Sequence, residues 1–295
     1  GCTTRLFYNP TGLPFNTWQC PADTGGAQVM AYKVGAKLAN MEYMRITVVP
    51  KGFSAAGLNA LTGMGGRFIN AYGEEFMFRY HPMGNRAPRS VLVEAVIKEI
   101  QKGNGPIYID CTHLSKKEIE HLNKTLGYDK DTLPDFLAQK GIDLSKEPLE
   151  VMHSEGMQAG PAEVCGSGIM IDENTASSVK GLFGAGDCTD QMRCVHVCTT
   201  GGYLSGKKAW EYVRGLSSFP KYDRTEIERI KKSIYAPILR QEGIEYRTLE
   251  NTLRRIMWDY AGPLRNEKSL KVAIGKLEAL TDETEKLKAK DFHEL

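Results

Sequence analysis

Apolar positions spaced for a helix run through residues 27–38, with Val29, Met30 and Leu38 among them, directly after Asp23-Thr24-Gly25-Gly26. The run 41–49 then reads as a strand ending at Pro50. From Lys51 to about Glu155 the texture changes, beginning with a glycine-rich loop through Gly63-Met64-Gly65-Gly66. A hairpin of 67–70 and 75–78 is predicted across 71–74, then a helix over 90–102, a strand over 107–111 and two short helices after Leu114 and Asp131. Short strands return at 169–172 and 181–184. Beyond Asp223 the pattern is helical over 225–241, 248–260 and 269–280, with Gly262-Pro263 breaking the last two apart. The closing run Asp291-Phe292-His293-Glu294-Leu295 reads as a helix that continues. The alternation predicts an α/β fold in which 1–50 and 163–216 form one domain, 51–162 an inserted α+β domain, and 217–295 a helical and incomplete C-terminal domain.

Composition narrows the class. A chain of 295 residues, 41% hydrophobic and 25% charged, can bury a substantial core. A net charge of +2 lacks the footprint of a nucleic-acid binder, and the lysines at 116–124 and 286–290 alternate with acids as on solvated helix faces. No run of about 18 apolar residues predicts a membrane span. Seven cysteines, an odd number at scattered spacings, argue against a secreted disulfide framework and for a reducing, cytoplasmic setting. The start at Gly1-Cys2-Thr3-Thr4, in mid-pattern, reads as the interior of a longer chain.

The most informative stretch is Gly181-Leu182-Phe183-Gly184-Ala185-Gly186-Asp187, followed by Thr199-Thr200-Gly201-Gly202-Tyr203-Leu204-Ser205-Gly206. Leu182 and Phe183 are read as buried-strand residues. The glycines admit a ligand close to the backbone, and Asp187 ends the run as an acceptor suited to a sugar hydroxyl. The second cluster is expected to open a helix whose first-turn N–H groups, at Thr200, Gly201 and Gly202, face an anion or a reduced ring. Together they read as the inner edge of a flavin site. The bland alternative for Asp187 is a turn or helix cap. Trp18, Tyr203 and Trp210 are candidates to stack on a ring, though each such residue is more often part of a core.

The series of motifs, in order, resembles the flavoprotein subunits of the succinate dehydrogenase, fumarate reductase and adenylylsulfate reductase family. Gly1-Cys2-Thr3-Thr4 is similar to the end of that family's Gly-Gly-Ala-Thr stretch, and Asp23-Thr24-Gly25-Gly26 to its Gly-Asp-Gly loop. Val48-Val49-Pro50-Lys51-Gly52 stands where the family has His-Pro-Thr-Gly. Phe76-Met77-Phe78-Arg79-Tyr80 and Pro88-Arg89-Ser90-Val91 look like its capping-domain motifs, and Trp258-Asp259-Tyr260-Ala261-Gly262-Pro263-Leu264-Arg265 like its helical-domain signature. The resemblance implies a Rossmann-like FAD-binding domain, an inserted α+β capping domain and a helical C-terminal region. It also implies FAD as cofactor, held in part by Thr3, Asp23, Gly25, Gly186, Asp187, Thr200, Gly201 and Gly202. The family's first strand and dinucleotide fingerprint would precede Gly1.

The family's acid catalyst is an arginine of the capping domain, and Arg89 matches it, with Arg86 as the nearby competitor. A guanidinium donates a proton only where a substrate carbanion forms beside it and water is excluded. It serves equally as an anion clamp, and the bland reading is an arginine at a helix start bound to a carboxylate or carbonyl. The departures are informative. Cations that grip a dicarboxylate in succinate and fumarate enzymes are replaced here by Val49, approximately Glu163 and Thr199, and Glu163 would repel a dicarboxylate. Lys51 and Glu163 are therefore the expected substrate contacts, and succinate or fumarate is disfavoured.

His196-Val197-Cys198-Thr199-Thr200-Gly201 looks more like the adenylylsulfate reductase branch, as does Asn104-Gly105-Pro106-Ile107. His196 is a second catalytic candidate, able to donate to a substrate or flavin carbonyl; the alternative is a packed loop histidine. Cys188, Cys194 and Cys198 have neither zinc nor iron–sulfur spacing, so no metal is expected. The reading is an FAD-dependent oxidoreductase flavoprotein subunit that moves hydride or electrons between a small substrate and an iron–sulfur electron-transfer subunit, beneath a mobile cap. The rivals are a true adenylylsulfate reductase, whose phosphosulfate needs more cations than the sequence places, and a non-catalytic flavin-carrying electron-relay or interaction subunit.

Overall fold

The computed structural model describes residues 3–8, 20–53, 58–128, 131–159, 166–191, 194–219 and 221–295. In chain order, α1 (Gly26–Lys33), β1 (Leu38–Ala39), β2 (Met44–Arg45) and β3 (Val48–Pro50) lead to α2 (Asn59–Gly63) and β4 (Arg67–Ile69). Two 3₁₀ turns, Met77–Arg79 and Gly84–Arg86, precede α3 (Arg89–Gln101), β5 (Ile107–Asp110), α4 (Lys116–Thr125), α5 (Thr132–Lys140) and β6 (Leu149–His153). The chain continues through β7 (Met157–Gln158), β8 (Gly168–Ile169), a 3₁₀ turn at Gly186–Cys188, and α6 (Val195–Arg214). It ends with α7 (Arg224–Leu239), β9 (Ile244–Glu245), α8 (Tyr246–Ala261), α9 (Glu267–Thr284) and β10 (Leu287–Lys288). By contact the chain divides into two compact units: Gly1–Tyr8, Ala22–Arg45 and Met157–Leu295 form the first, and Ile46–Gly156 is the body of the second.

The second unit is built on an antiparallel sheet of order β3-β6-β5-β4, with Val49 opposite Met152, Ile107 opposite Val151 and Phe68 opposite Ile109. In β5 the period-2 pattern survives folding, since Ile107 and Ile109 are buried and Tyr108 and Asp110 are half-exposed. Leu92, Val93, Val96 and Ile97 bury the core face of α3 against Phe68, Phe76 and Met77. Each such side chain contributes roughly 1.5–3 kcal/mol of burial. Glu99 on α3 is a charged residue inside this unit, and its carboxylate accepts hydrogen bonds from Tyr80 at 2.5 Å, Asn104 at 2.8 Å and Arg79 at 3.1 Å. Ser115 caps α4 with Glu118 in a reciprocal capping box, as the sequence Ser-Lys-Lys-Glu requires.

The first unit is made of short pairings and long helices. β1 pairs antiparallel with β8 and β2 with β7, while Thr3 bridges both Thr24 and Gln158. Among its described residues the apolar clusters are small, such as Ala31, Ala36, Ile169 and Ile171, and Ile256, Ala261 and Ala273 between α8 and α9. α8 also ties down the N-terminal segment, Glu250 gripping Arg5 through both oxygens at 2.5 and 2.7 Å, and Arg254 donating to the Phe7 carbonyl at 3.2 Å.

Several expected elements change. The helix expected over 27–38 closes at Lys33, because the Gly35 and Ala36 N–H groups turn back onto the Tyr32 and Ala31 carbonyls, freeing Leu38 for β1. β4 forms, but its partner is β5; residues 75–78 supply only a bridge from Glu75 to Ile69 and then a 3₁₀ turn. Phe76 and Met77 are buried consecutively, which a 3₁₀ turn allows and an alternating strand does not. Residues 181–184 make one bridge, Phe183 to Ala176, and Leu182 and Phe183 are half-buried. The chain end is not helical: β10 pairs in parallel with β9, and the Asp291 carboxylate then accepts the His293 N–H to make a turn.

Candidate functional site

In the first unit five chain segments meet around two glycines. Gly25 is the N-cap of α1 with φ +78°, and a Cβ there would stand 2.5 Å from Thr3 Oγ1, so a larger residue would have to push that hydroxyl aside and hold a strained backbone. The Asp23 carbonyl accepts from the Thr4 N–H at 2.8 Å and from its hydroxyl at 3.1 Å, which fixes Thr3 and Thr4 against the loop leading into α1. α1 in turn packs on β8, and β8 on the 3₁₀ turn at Gly186–Cys188. That turn lies against the first turn of α6, where Gly186, at φ +80°, faces Cys198. Cys198 Sγ donates to Asp187 Oδ1 at 3.5 Å.

The structure moves the start of α6. It begins at Val195, so Thr200, Gly201 and Gly202 lie in its second turn, and the N–H groups at the helix mouth belong to Val195, His196 and Val197. The Thr200 hydroxyl bonds the His196 carbonyl at 3.0 Å within the helix. Gly201 is buried and Gly202 is exposed with no atom near where a side chain would stand, so the backbone is open to a ligand there. His196 is exposed on the first turn. The cue that extends the helix backwards is the regular run Val195-His196-Val197-Cys198, which carries no breaker.

The donor set suits a dinucleotide. Among the described residues neither α1 nor α6 has an N-cap side chain bonded to its first-turn N–H groups or an acidic residue in that turn, which suits anion binding. Asp187 offers a carboxylate for a sugar hydroxyl. Gln158, opposite Thr3, adds an acceptor that pattern reading missed: its amide nitrogen is spent on Ser167 at 2.7 Å, and its buried Oε1 has no donor among the described residues. No three His, Cys, Asp or Glu side chains among the described residues are grouped to hold a metal ion.

In the second unit, Arg89 is the first residue of α3, half-buried after Pro88. It lines a crevice of about 10 Å³ with Thr47, Thr62, Phe68 and Leu92, room for a single water-sized group. Arg86 ends the preceding 3₁₀ turn and is exposed. Lys51 follows β3 on a turn, and its ammonium reaches Glu150 Oε1 at 2.7 Å, which raises the affinity of Lys51 for its proton. Glu163 and Trp18 lie outside the described residues. His153, fully enclosed beside Ser154 and Glu155, was not singled out from sequence; burial lowers its pKa, opposed by the Ser154 carbonyl near Nδ1.

Glycine-lined turns against two helix mouths, with an acidic residue at the second, are the features of a dinucleotide-binding fold. The chain belongs to the FAD binding domain family, matched over residues 5–201, and residues 250–294 match the fumarate reductase flavoprotein C-terminal family. It is 31% identical over 288 residues to an uncharacterized FAD-dependent oxidoreductase of Methanocaldococcus jannaschii, covering 92% of this chain and 50% of that protein. It is 30% identical over 277 residues to one of the subunits of the fumarate reductase (CoM/CoB) of Methanothermobacter marburgensis, covering 88% and 47%. Adenylylsulfate reductase of Archaeoglobus fulgidus superposes with a TM-score of 0.79 at 26% identity, over 100% of this chain and 55% of that one. The chain spans about half the length of the curated relatives it matches. The comparisons bear out the α/β class, the Rossmann-like FAD-binding domain with an inserted cap and helical C-terminal region, and FAD as the cofactor.

Proposed function

We propose that this chain is part of the flavoprotein subunit of an FAD-dependent oxidoreductase that exchanges electrons between a small substrate and a partner electron carrier. The observation that carries the reading is the Gly186–Cys188 turn set against the mouth of α6, with Asp187 at its centre. FAD, when bound, supplies hydride and electron-pair chemistry. The residues of this chain do the rest. Asp187 accepts a sugar hydroxyl of the cofactor, the first-turn N–H groups of α1 and α6 meet negative charge, Gly25 lets Thr3 close against the mouth of α1, and Gly202 keeps the backbone accessible. Arg89 is assigned the proton donation or the grip on a substrate anion, and His196 a donor role at the helix mouth. Lys51 and Glu163 are assigned to substrate selection.

Lys51 is neutralised by Glu150, which supports a substrate of lower negative charge than a phosphosulfate. The partner is an iron–sulfur subunit, the usual electron route in the families this chain resembles. The compartment is the cytoplasm, in keeping with the free Cys111, Cys188 and Cys194. Among the described residues no helix is long and apolar enough to cross a membrane.

The test is purification of the full-length protein with its flavin, followed by reduction with a viologen dye and re-oxidation by small carboxylate and sulfur-oxyanion acceptors. Acceptor-dependent re-oxidation at catalytic rates is expected. A flavin-loaded protein that returns electrons only to an iron–sulfur protein would overturn the enzyme reading in favour of a relay subunit.

A further inference from the structure

We propose that Cys198 is a positioning residue that fixes the Asp187 carboxylate for the cofactor's sugar hydroxyl. The inference rests on the flavin reading of the Gly186–Cys188 turn and adds a role for a thiol that reading leaves unused. The two residues are eleven apart in sequence, and the turn packs on the first turn of α6 so that Cys198 Sγ meets Asp187 Oδ1 at 3.5 Å. The thiol is the donor of this contact and the Asp187 carboxylate its acceptor. Gly186 completes the arrangement: a Cβ there would lie 3.5 Å from the sulfur, and its φ of +80° turns the chain back towards α6.

A carboxylate on a short surface turn has free rotation about its side-chain bonds, and that freedom is lost when it binds a hydroxyl. The thiol removes part of this cost beforehand by holding one oxygen and leaving the other to a ligand. A donor is needed for this, and the sulfur remains one at neutral pH. Burial, then the adjacent Asp187 charge, raise the Cys198 pKa above the ordinary thiol value. Cys188, by contrast, points its sulfur at the Ala185 carbonyl at 3.3 Å and holds only the turn backbone.

The experiment measures FAD affinity and the visible circular dichroism of the bound flavin in the full-length protein, reconstituted with FAD after removal of the native cofactor. C198A is expected to weaken FAD binding on the order of tenfold, as loss of a hydrogen bond to a charged group does. C198S, which restores a donor, is expected to stay within about threefold of wild type. In the D187A background the same C198A change is expected to cost nothing further, because the two residues act as one unit. Unchanged affinity in C198A, or C198S as weak as C198A, overturns the positioning role while leaving the flavin reading intact. Wild-type FAD affinity in D187A removes Asp187 from the cofactor site, and this inference with it, while the protein remains a flavoprotein.

Discussion

The hydroxyl of Tyr80 donates to Glu99 Oε1 at 2.5 Å, joining the 3₁₀ turn of the second unit to the buried face of α3. Among the described residues Glu99 is the one carboxylate in that apolar interior with four partners, since Lys102 stands 3.5 Å from Oε1 as well. Burial alone would raise its pKa. The hydrogen bonds from Tyr80 and Asn104 and the charges of Arg79 and Lys102 outweigh that and hold it below the usual carboxylate value. Y80F is expected to cost about 1–3 kcal/mol by removing a donor from a buried charge, and E99A about 3–5 kcal/mol. Urea unfolding at pH 7 measures both. Because the folded pKa is depressed, this stability is present above the unfolded carboxylate value and is lost as pH falls through the folded one. E99Q should therefore be less acid-sensitive than wild type.

His153 gives a second pH dependence in a different window. Burial lowers its folded pKa, so the folded state holds it neutral while the unfolded chain takes up a proton near its ordinary value of about 6.5. The stability contributed by neutral burial is complete above that value and declines as pH falls through it. H153Q should flatten urea stability between pH 7 and pH 5, and an unchanged slope would show that the ring is not buried as neutral imidazole.

Arg89 carries the strongest catalytic expectation. R89A in the full-length enzyme should lower turnover about 10²- to 10⁴-fold, the range for loss of a positioned proton donor, with flavin content unchanged. R89K should recover little, because an ammonium lacks the planar fork of donors. Turnover within twofold of wild type in R89A would remove it from the chemistry.

Gly25 tests the other half of the proposed cofactor surface. G25A must accept a left-handed backbone and a Cβ 2.5 Å from Thr3 Oγ1, and should lose about 1–3 kcal/mol of stability. Adding T3A returns the space but not the backbone conformation, so the double variant should recover only part of the loss. Full recovery in thermal unfolding would mean that the φ of +78° costs nothing.

Thiol chemistry should separate by burial. Cys111 is buried beside Asp110, and burial pushes its pKa to about 11, whereas Cys194 is exposed at the head of α6. Native alkylation with iodoacetamide at pH 8 should label Cys194 and spare Cys111. Labelling of Cys111 at a comparable rate would contradict the packing of the sheet.

Elements that carry their own punctuation were legible in the sequence. α3, α4, α8 and α9 fall close to expectation, because proline, Ser115 and Gly262-Pro263 mark their ends and long periodic faces mark their lengths. What escaped depended on partners far along the chain. β4 found β5, beyond α3, rather than its neighbour, and the mouth of α6 lies upstream of the glycines that drew attention to it. The Cys198–Asp187 contact and the burial of Glu99 and His153 are products of packing between elements, and periodicity within one element holds no record of them.

The grip of α8 on the N-terminal segment sets the order in which this protein can mature. Arg5 waits for Glu250, 245 residues later, and the Phe7 carbonyl waits for Arg254, so the first unit cannot close until α8 has left the ribosome. While the intervening residues are being made, Thr3 and Thr4 can already pair with Thr24 and Asp23, but Arg5, Phe7 and Tyr8 stand without the side chains and carbonyls of α8 that finally hold them.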